Sequence, residues 1–348
     1  MISTRRRIFD DDHAAFRDSV KRFIATEVAP NLNAWRGADE TPRSVIAAAG
    51  EAGFLGTTVP EELGGGGADD FGFLVVLIEE AVSAGATGLA LLWALQAGVT
   101  IPFLLEHATA THQQQWLPGL STGQLIAVPA PSTLSGVAGA RIADALLVQN
   151  DDDGVALVPL NQPGVTITPI DQSLAGRDAG LADVTLGDVE ANADFASQTA
   201  LQRDLDLWFA VLALASARTA MALAVDYAHA RKIFGQPLAE FENTRFRLAE
   251  LWAELAGLTV FVDSCVRERS SGALEVADAA AARLTASRVC GQAVDQSLQL
   301  HGGYGYMREY PISHAFADAR FLQVMASAYS NPRETLASTV ALDVMSQQ

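Results

Sequence analysis

The sequence contains little cysteine and little positive charge, and each shortage excludes a class of protein. Only Cys265 and Cys290 are present, too few for a disulfide framework, and their spacing is not that of a metal site. Lysine and arginine number 23 against 41 aspartate and glutamate residues, which gives a net charge of −18. A surface this acidic repels phosphates, so nucleic acids and anionic membrane surfaces are not expected partners.

Signals for membrane insertion and export are also missing. The apolar run at residues 85–100 is interrupted by Gly98 and is too short and alanine-rich to span a bilayer. The basic residues near the N-terminus are not followed by the apolar stretch of a secretion signal. Together with the cysteine count, these features predict a cytoplasmic protein that does not bind membranes.

What the chain does have is an apolar fraction of 49% over 348 residues, enough for a large core. Apolar residues recur at helical spacing through residues 11–125, as in Phe16, Val20 and Phe23. After residue 126 this pattern gives way to short β-like runs bounded by Gly, Pro, Asp and Asn. The predicted strands cover residues 145–149, 154–159, 165–169 and 182–186.

Helical patterns return from residue 201 to the end of the chain, and they are longer. The predicted helices cover residues 207–232, 242–269, 274–299 and 318–345. Four long helices joined by short connections favour an antiparallel bundle. The sequence therefore predicts a mainly α protein with a small central β domain. The three predicted domains are an N-terminal helical domain at 1–125, a middle β domain at 126–200 and a C-terminal four-helix bundle at 201–348.

One connection in the predicted bundle carries cations at the end of a long helix. It contains Arg231 and Lys232, followed by Phe234 and Gly235. Cations at this end of a helix interact favourably with its dipole, which is the purely structural interpretation. In the functional interpretation, the planar guanidinium of Arg231 binds an anionic ligand such as a phosphate.

A second connection, residues 299–306, reads QLHGGYGY. Three glycines within four residues let the backbone approach a ligand closely and offer N–H groups to phosphates. The same glycines are compatible with an ordinary turn between helices. The segment is not a dinucleotide-binding fingerprint, because no strand precedes it.

Taken together, the two connections resemble the acyl-CoA dehydrogenase family. RKIFGQPLAEFENTRFRLAEL is similar to that family's Arg-x-x-Phe-Gly loop and the helix after it. QLHGGYGYMREYPISHAFADAR is similar to its Gln-x-x-Gly-Gly-x-Gly-Tyr segment and the following helix. GEAGFLGTTVPEELGGGGAD and WLPGLSTGQLIA resemble further family segments. The similar segments extend over nearly the whole chain and follow one another in the same order as in the family. The resemblance therefore implies the acyl-CoA dehydrogenase fold.

The resemblance also implies a cofactor, FAD, bound in an extended form across a subunit interface. The family's FAD contacts map onto Arg231, Phe234, Gln299, Gly302 and Gly303. In the family these residues commonly serve the flavin site of a neighbouring subunit. The residue chemistry agrees with this mapping, because a guanidinium beside exposed backbone N–H groups suits a pyrophosphate.

The carboxylate that the family uses as catalytic base is missing. The reaction transfers an α-proton to this base while a β-hydride passes to the flavin. The usual glutamate position falls at Ala326, and the position used by some other members falls at Leu205; neither side chain accepts a proton. Asp204 and Asp206 flank the second position. They are interpreted either as a displaced base or as solvated acids at a helix start.

The β domain departs from the family pattern too, and it is shorter than the usual layout. The family's Thr-Glu-Pro-x-x-Gly-Ser-Asp lead-in reads VPAPSTLSG at residues 128–136. Pro129 there has no N–H to donate. A complete pocket for both flavin and acyl chain is therefore not expected within this chain.

Retained FAD contacts beside a missing base predict an FAD-associated subunit of an acyl-CoA dehydrogenase complex. The chain resembles the shortened, non-catalytic subunit of actinobacterial steroid-catabolic enzymes, which pairs with a catalytic homologue as an α2β2 heterotetramer. On this hypothesis the partner holds most of the acyl-CoA, and the chain is active only with that partner. Two alternatives remain: an active homomeric dehydrogenase with a relocated base, and a flavin-free scaffold protein of the same fold.

Overall fold

A computed structural model describes residues 6–150 and 154–346, and its first part is helical as predicted. The N-terminal helices are α1 (Asp11–Phe23), α2 (Leu32–Ala38), α3 (Arg43–Glu51), α4 (Gly72–Ser83), α5 (Thr87–Trp93), α6 (Ile101–His107) and α7 (Ala110–Ser121). Asp10 begins α1, because its side chain accepts the N–H of His13 at 3.1 Å. Helices α4 and α5 are apolar on nearly all sides, and they form the centre of this part.

The middle of the chain forms two small sheets. The strands are β1 (Ala127–Pro129), β2 (Ala145–Gln149), β3 (Val155–Pro159), β4 (Val165–Pro169), β5 (Ala182–Leu186) and β6 (Ala193–Phe195). One sheet has the order β1-β2-β3-β6, with β1 parallel to β2 and the other pairs antiparallel, and β4 pairs with β5 separately. All four predicted strands are confirmed. The short strands β1 and β6 were not predicted, since three residues are too few to show alternation.

The C-terminal part consists of long helices. They are α8 (Gln198–Ala230), α9 (Glu242–Ser270), α10 (Val276–His301), α11 (Pro311–Tyr329) and α12 (Pro332–Ser346). Helices α9, α10 and α11 pack against α8, while α12 packs against α10. The middle of α8 is buried on every side and packs against α4, α9, α10 and α11. Because α8 begins at Gln198, the predicted boundary between residues 200 and 201 would fall inside a helix. The division into three domains stays a prediction.

The prediction of one helix over residues 318–345 is wrong. Helix α11 begins earlier, at Pro311, and ends at Tyr329, while α12 begins at Pro332. Ser330 between them is extended, with φ −156° and ψ 166°. Proline has no N–H for a helical hydrogen bond and disfavours a helical conformation in the residue before it. The apolar pattern continues through the break, so periodicity alone did not reveal it.

By length and composition, two helical stretches could also cross a membrane. They are Thr87–His107 and Gln198–Ala230. In the folded chain 94% and 67% of their most apolar windows are buried by other parts of the protein. This burial is usual for core helices, so the two stretches are weak evidence for a membrane span.

Candidate functional site

The connection after α8 is a tight hairpin that holds an aromatic side chain away from the protein. It consists of β7 (Lys232–Ile233) and β8 (Gln236–Pro237), joined through Phe234 and Gly235. Both turn residues have positive φ, +48° and +86°, as two-residue hairpin turns commonly require. A phenylalanine is strained in this conformation, and its side chain is 97% exposed. The hairpin therefore presents Phe234 to solvent.

The connection after α10 has glycines with two different roles. Gly302 has φ +57° and ψ −138°, a conformation open only to glycine. A Cβ atom at Gly302 or Gly303 would have nothing within 4 Å, so the backbone there faces open space. At Gly305 a Cβ atom would lie 2.8 Å from the carbonyl oxygen of Leu298, so this glycine is required by packing. The first two glycines thus leave their faces free for a ligand.

The two connections meet and line an open cavity of about 470 Å³. Arg231, Gln299, Gly302 and Gly303 line it, and the guanidinium of Arg231 lies over the ring of Tyr304 at 5.5 Å. This cation–π contact holds the guanidinium in the same cavity as the open backbone of the glycines. Of the five residues predicted to contact FAD, these four come together. Phe234 does not line the cavity, and the FAD role of all five stays a prediction.

The back wall of this cavity is built from residues that were not predicted. Tyr227 stacks on His301 with ring centres 4.2 Å apart, and its hydroxyl donates to the carbonyl oxygen of His301 at 3.3 Å. The imidazole Nδ1 of His301 lies 2.7 Å from the carbonyl oxygen of Ser297. Burial lowers the pKa of His301, which favours the neutral ring that donates from Nδ1. Tyr227 precedes Arg231 by one helical turn, and this spacing was the available sequence signal.

The expected base positions lie in the core. Leu205 is fully buried in α8, and Ala326 lies on the buried face of α11. The carbonyl oxygen of Ala326 accepts a hydrogen bond from the guanidinium of Arg283, which reaches across from α10. The mapping of the family's base onto these two positions stays a prediction, and neither side chain can accept a proton.

The two aspartates next to Leu205 are buried, so their interpretation as solvated acids is wrong. Asp206 accepts hydrogen bonds from Arg283 at 2.6 Å and from the Ser330 hydroxyl at 2.5 Å. Asp204 accepts two hydrogen bonds from Arg269, at 2.7 and 2.9 Å. Each aspartate is 1% exposed. These ion pairs connect α8 to α9 and α10, and they leave neither carboxylate free.

The β domain packs directly on the bundle through Tyr329. Its hydroxyl accepts the backbone N–H of Ala138 at 3.3 Å, and its ring packs against Phe209 with centres 5.6 Å apart. Tyr329 is 2% exposed, and burial raises its pKa. Nearby, a Cβ atom at Gly176 would lie 2.3 Å from the ring of Phe321. Side chains of this chain thus lie in contact between the β domain and helices α8 and α11 at both places.

Comparison with known proteins decides the family. The family model of the acyl-CoA dehydrogenase N-terminal domain matches residues 10–124, and that of the acyl-CoA dehydrogenase C-terminal domain matches residues 207–327. The chain belongs to the acyl-CoA dehydrogenase family. The resemblance seen in the two connections is thereby confirmed at the level of the family. The two matched regions flank the β domain.

Similar acyl-CoA dehydrogenases occur in distant organisms. The long-chain specific acyl-CoA dehydrogenase of Mus musculus mitochondria is 27% identical, over 97% of this chain and 88% of that protein. An acyl-CoA dehydrogenase from Geobacillus kaustophilus has a TM-score of 0.86 at 25% identity, covering 96% of this chain and 99% of that one. A glutaryl-CoA dehydrogenase from Mycobacterium smegmatis, solved with FADH2, has a TM-score of 0.85 at 18% identity, covering 97% and 96%. The predicted fold is confirmed.

Proposed function

We propose that this chain is an FAD-associated subunit of an acyl-CoA dehydrogenase complex and lacks a catalytic base of its own. The observation that carries the proposal is a contrast between two places in the C-terminal helices. The cavity beside Arg231 and Gly302 is open and suited to an anion. Position 326 is an alanine whose carbonyl oxygen is bonded to Arg283. Dehydrogenation of an acyl-CoA needs both a bound flavin and a base.

The open cavity has the chemistry that FAD requires. Arg231 would form charge-assisted bonds to the pyrophosphate, and the backbone N–H groups of Gly302 and Gly303 would donate to its oxygens. Gln299 adds an exposed amide at the rim, and the exposed ring of Phe234 is available to a neighbouring chain. When bound, FAD supplies the hydride acceptor for the β-carbon of the acyl-CoA. The related glutaryl-CoA dehydrogenase was solved with FADH2, which supports this assignment.

The rest of the flavin site is proposed to belong to another chain. Tyr329, which packs on Phe209, lies in contact with the β domain at the place where that domain meets the bundle. The alignment with the mouse relative spans 385 positions, more than the 348 residues of this chain, so that relative has residues without a counterpart here. Both observations support a shortened subunit that completes the FAD site of a homologous catalytic partner, in an α2β2 heterotetramer. That partner would hold most of the acyl-CoA.

The proposal extends to the substrate and the compartment. We infer CoA esters of steroid side chains as the substrate class, because the shortened chain without a base resembles the corresponding subunit of steroid-catabolic enzymes. The cytoplasm is the proposed compartment, in keeping with two free, buried cysteines. The inferred substrate class depends on the heteromeric role and fails with it.

Co-expression with a full-length homologue encoded next to this chain tests the proposal. We expect a yellow, active complex, whereas this chain expressed alone is colourless and inactive. As a matched control, replacing the partner's catalytic glutamate by glutamine should abolish turnover but leave the yellow colour. Recovery of an active yellow homomer of this chain would refute the proposal. A complex without FAD would favour the scaffold alternative instead.

A further inference from the structure

A second cavity of about 950 Å³ lies between α10, α11 and the start of α12. Four arginines line it: Arg283 and Arg288 from α10, Arg320 from α11 and Arg333 from α12. Its volume is at the upper end of the usual range for small-molecule sites, roughly 300–1,000 Å³. Arginine binds phosphate with a planar fork of donors, so the lining indicates an anionic ligand.

Within residues 6–150 and 154–346, three of the four arginines in this cavity have no carboxylate partner, whereas the buried Arg283 is paired with Asp206. Although the chain carries a net charge of −18, none of the described residues that line the cavity is a carboxylate. Arg288 and Arg320 donate to the side-chain amides of Gln292 at 2.9 Å and Gln323 at 3.0 Å. In the part of the chain that the structure describes, no carboxylate is paired with Arg288, Arg320 or Arg333. These guanidinium groups therefore retain donors and charge for a ligand.

Other polar residues line the cavity beside the arginines. Ser287 adds a hydroxyl group, while the Ser327 hydroxyl donates to the carbonyl oxygen of Gln323 at 2.9 Å. Arg283, which is 3% exposed, forms the inner edge, and its guanidinium is bonded to Asp206 and to the carbonyl oxygen of Ala326. Helix α12 begins at Pro332 beside the cavity, so its positive dipole end lies there too. Glu334 on the first turn of α12 is exposed and is not a lining residue. A concave site with guanidinium forks, hydroxyls and a helix N-terminus suits a compact phosphoryl group better than an extended acidic peptide.

We propose that this cavity binds a phosphoryl anion, either on a nucleotide of the size of ADP or as free phosphate. The site is distinct from the cavity at Arg231. Arg288 and Gln299 lie eleven residues apart on α10, which corresponds to about 16 Å along the helix axis. The inference does not depend on the proposed role in an acyl-CoA dehydrogenase complex, because it uses other residues and a binding measurement.

Calorimetric titration of the full chain with ADP, and separately with inorganic phosphate, tests this site. We expect the double variant R288Q/R320Q to weaken binding at least about tenfold, since two charge-assisted contacts are lost. The control R245Q/R247Q removes the same charge from two exposed arginines of α9 and should stay within about twofold of the wild type. Both changes are at exposed positions, and thermal melting verifies that the variants fold.

Each outcome has a defined meaning. Binding of both probes, weakened only by R288Q/R320Q, supports a nucleotide ligand, and binding of phosphate alone with the same loss supports free phosphate. Loss of ADP binding in Arg231→Gln but not in R288Q/R320Q would place ADP in the other cavity and overturn the proposal. The proposal would also be overturned if neither probe binds. An oligo-glutamate peptide is titrated in the same way, and binding of this peptide without binding of ADP or phosphate would overturn the proposal too.

Discussion

At the residue scale, Arg231 has an electrostatic role and is held in place by an aromatic ring. Its guanidinium lies over Tyr304, and Tyr227 one helical turn earlier supports the same wall of the cavity through His301. The sequence showed a cation at the end of a helix, which is common in proteins and has a structural explanation. The structure adds the open glycine backbone next to this cation. This neighbourhood supports the functional interpretation of Arg231, which stays a prediction.

Replacing Arg231 by alanine is expected to weaken FAD retention in the complex with the catalytic partner. A hydrogen bond to a charged group contributes about 1.5–3 kcal/mol, so we expect FAD binding to weaken about ten- to hundredfold. Arg231→Lys keeps the charge but loses the planar fork, and it should give an intermediate affinity. Flavin fluorescence released on dilution measures the effect. Arg245→Ala is the control, and equal FAD retention in all three variants would contradict the prediction.

Asp206→Asn is expected to lower stability and to leave catalysis unchanged. Removing the charge leaves Arg283 buried with a weakened partner, and breaking a buried ion pair costs about 3–5 kcal/mol. The double variant Asp206→Leu with Arg283→Met should recover part of this loss, because apolar side chains replace both charges. Urea unfolding measures stability, and turnover of the complex is measured per folded chain. Unchanged stability with abolished turnover would instead identify Asp206 as a displaced base.

These ion pairs illustrate which part of the site could not be predicted. Asp204 and Asp206 were visible in the sequence, but their partners lie 65 and 77 residues away, on α9 and α10. Local patterns carry no information about such contacts. The sequence did reveal that position 326 has no carboxylate and that glycines follow α10, because both features belong to local motifs.

At the scale of elements, the segment between β4 and β5 is attached to two helices through acidic side chains. The Asp178 carboxylate accepts the backbone N–H of Leu89 at the start of α5, at 2.9 Å. The Asp318 carboxylate on α11 accepts the backbone N–H of Gly176 at 3.2 Å. Burial and the negative charge of Asp318 raise the pKa of Asp178 to about 6, and burial raises the pKa of Asp318. Arg36, 3.6 Å from Asp318, partly compensates these charges.

This arrangement predicts that the free energy of unfolding is larger at acidic pH than at neutral pH. Asp178 has its ordinary pKa of 3.8 when unfolded and about 6 when folded. Between these values the folded state binds a proton that the unfolded state has lost, so the free energy of unfolding falls as pH rises. Asp178→Asn removes this titration and keeps an acceptor for Leu89. At pH 7 the variant should be more stable than the wild type, on the order of 2–3 kcal/mol.

Urea unfolding between pH 4 and pH 7.5 checks the prediction. The stability difference between Asp178→Asn and the wild type should shrink as the pH approaches about 4. Asp188→Asn, at an exposed position in the same domain, is the control and should show no such trend. A constant difference across the pH range would show that Asp178 does not titrate in this window.

Element boundaries show where sequence patterns are sufficient. The long helices and the four strands of five or six residues were predicted, because each repeats its pattern several times. The break between α11 and α12 was missed, although Pro332 marks it, since apolar residues continue on both sides. The strands β1 and β6 depend on pairing with β2 and β3, which lie elsewhere in the chain.

At the scale of the whole molecule, the cavity at Arg231 and the contact at Tyr329 are in different parts of the fold. The open cavity at Arg231 lies at the far ends of α8 and α10. Tyr329 and Phe209 occupy the position between the β domain and the bundle. A chain with this arrangement is expected to contribute to a neighbour's flavin site, not to complete one of its own. The proposed role therefore predicts how many flavins a complex with a catalytic partner binds.

A complex of two such chains and two catalytic partners is expected to bind two FAD molecules, not four. Each FAD would lie between one catalytic chain and the Arg231 cavity of this chain, whereas the matching loops of the partner face the filled position at Tyr329. Native mass spectrometry of the intact complex counts the flavins directly. A homomeric acyl-CoA dehydrogenase measured in parallel should carry one FAD for each chain. Four FAD molecules in the heteromeric complex would mean that this chain opens at Tyr329 and has a flavin site of its own.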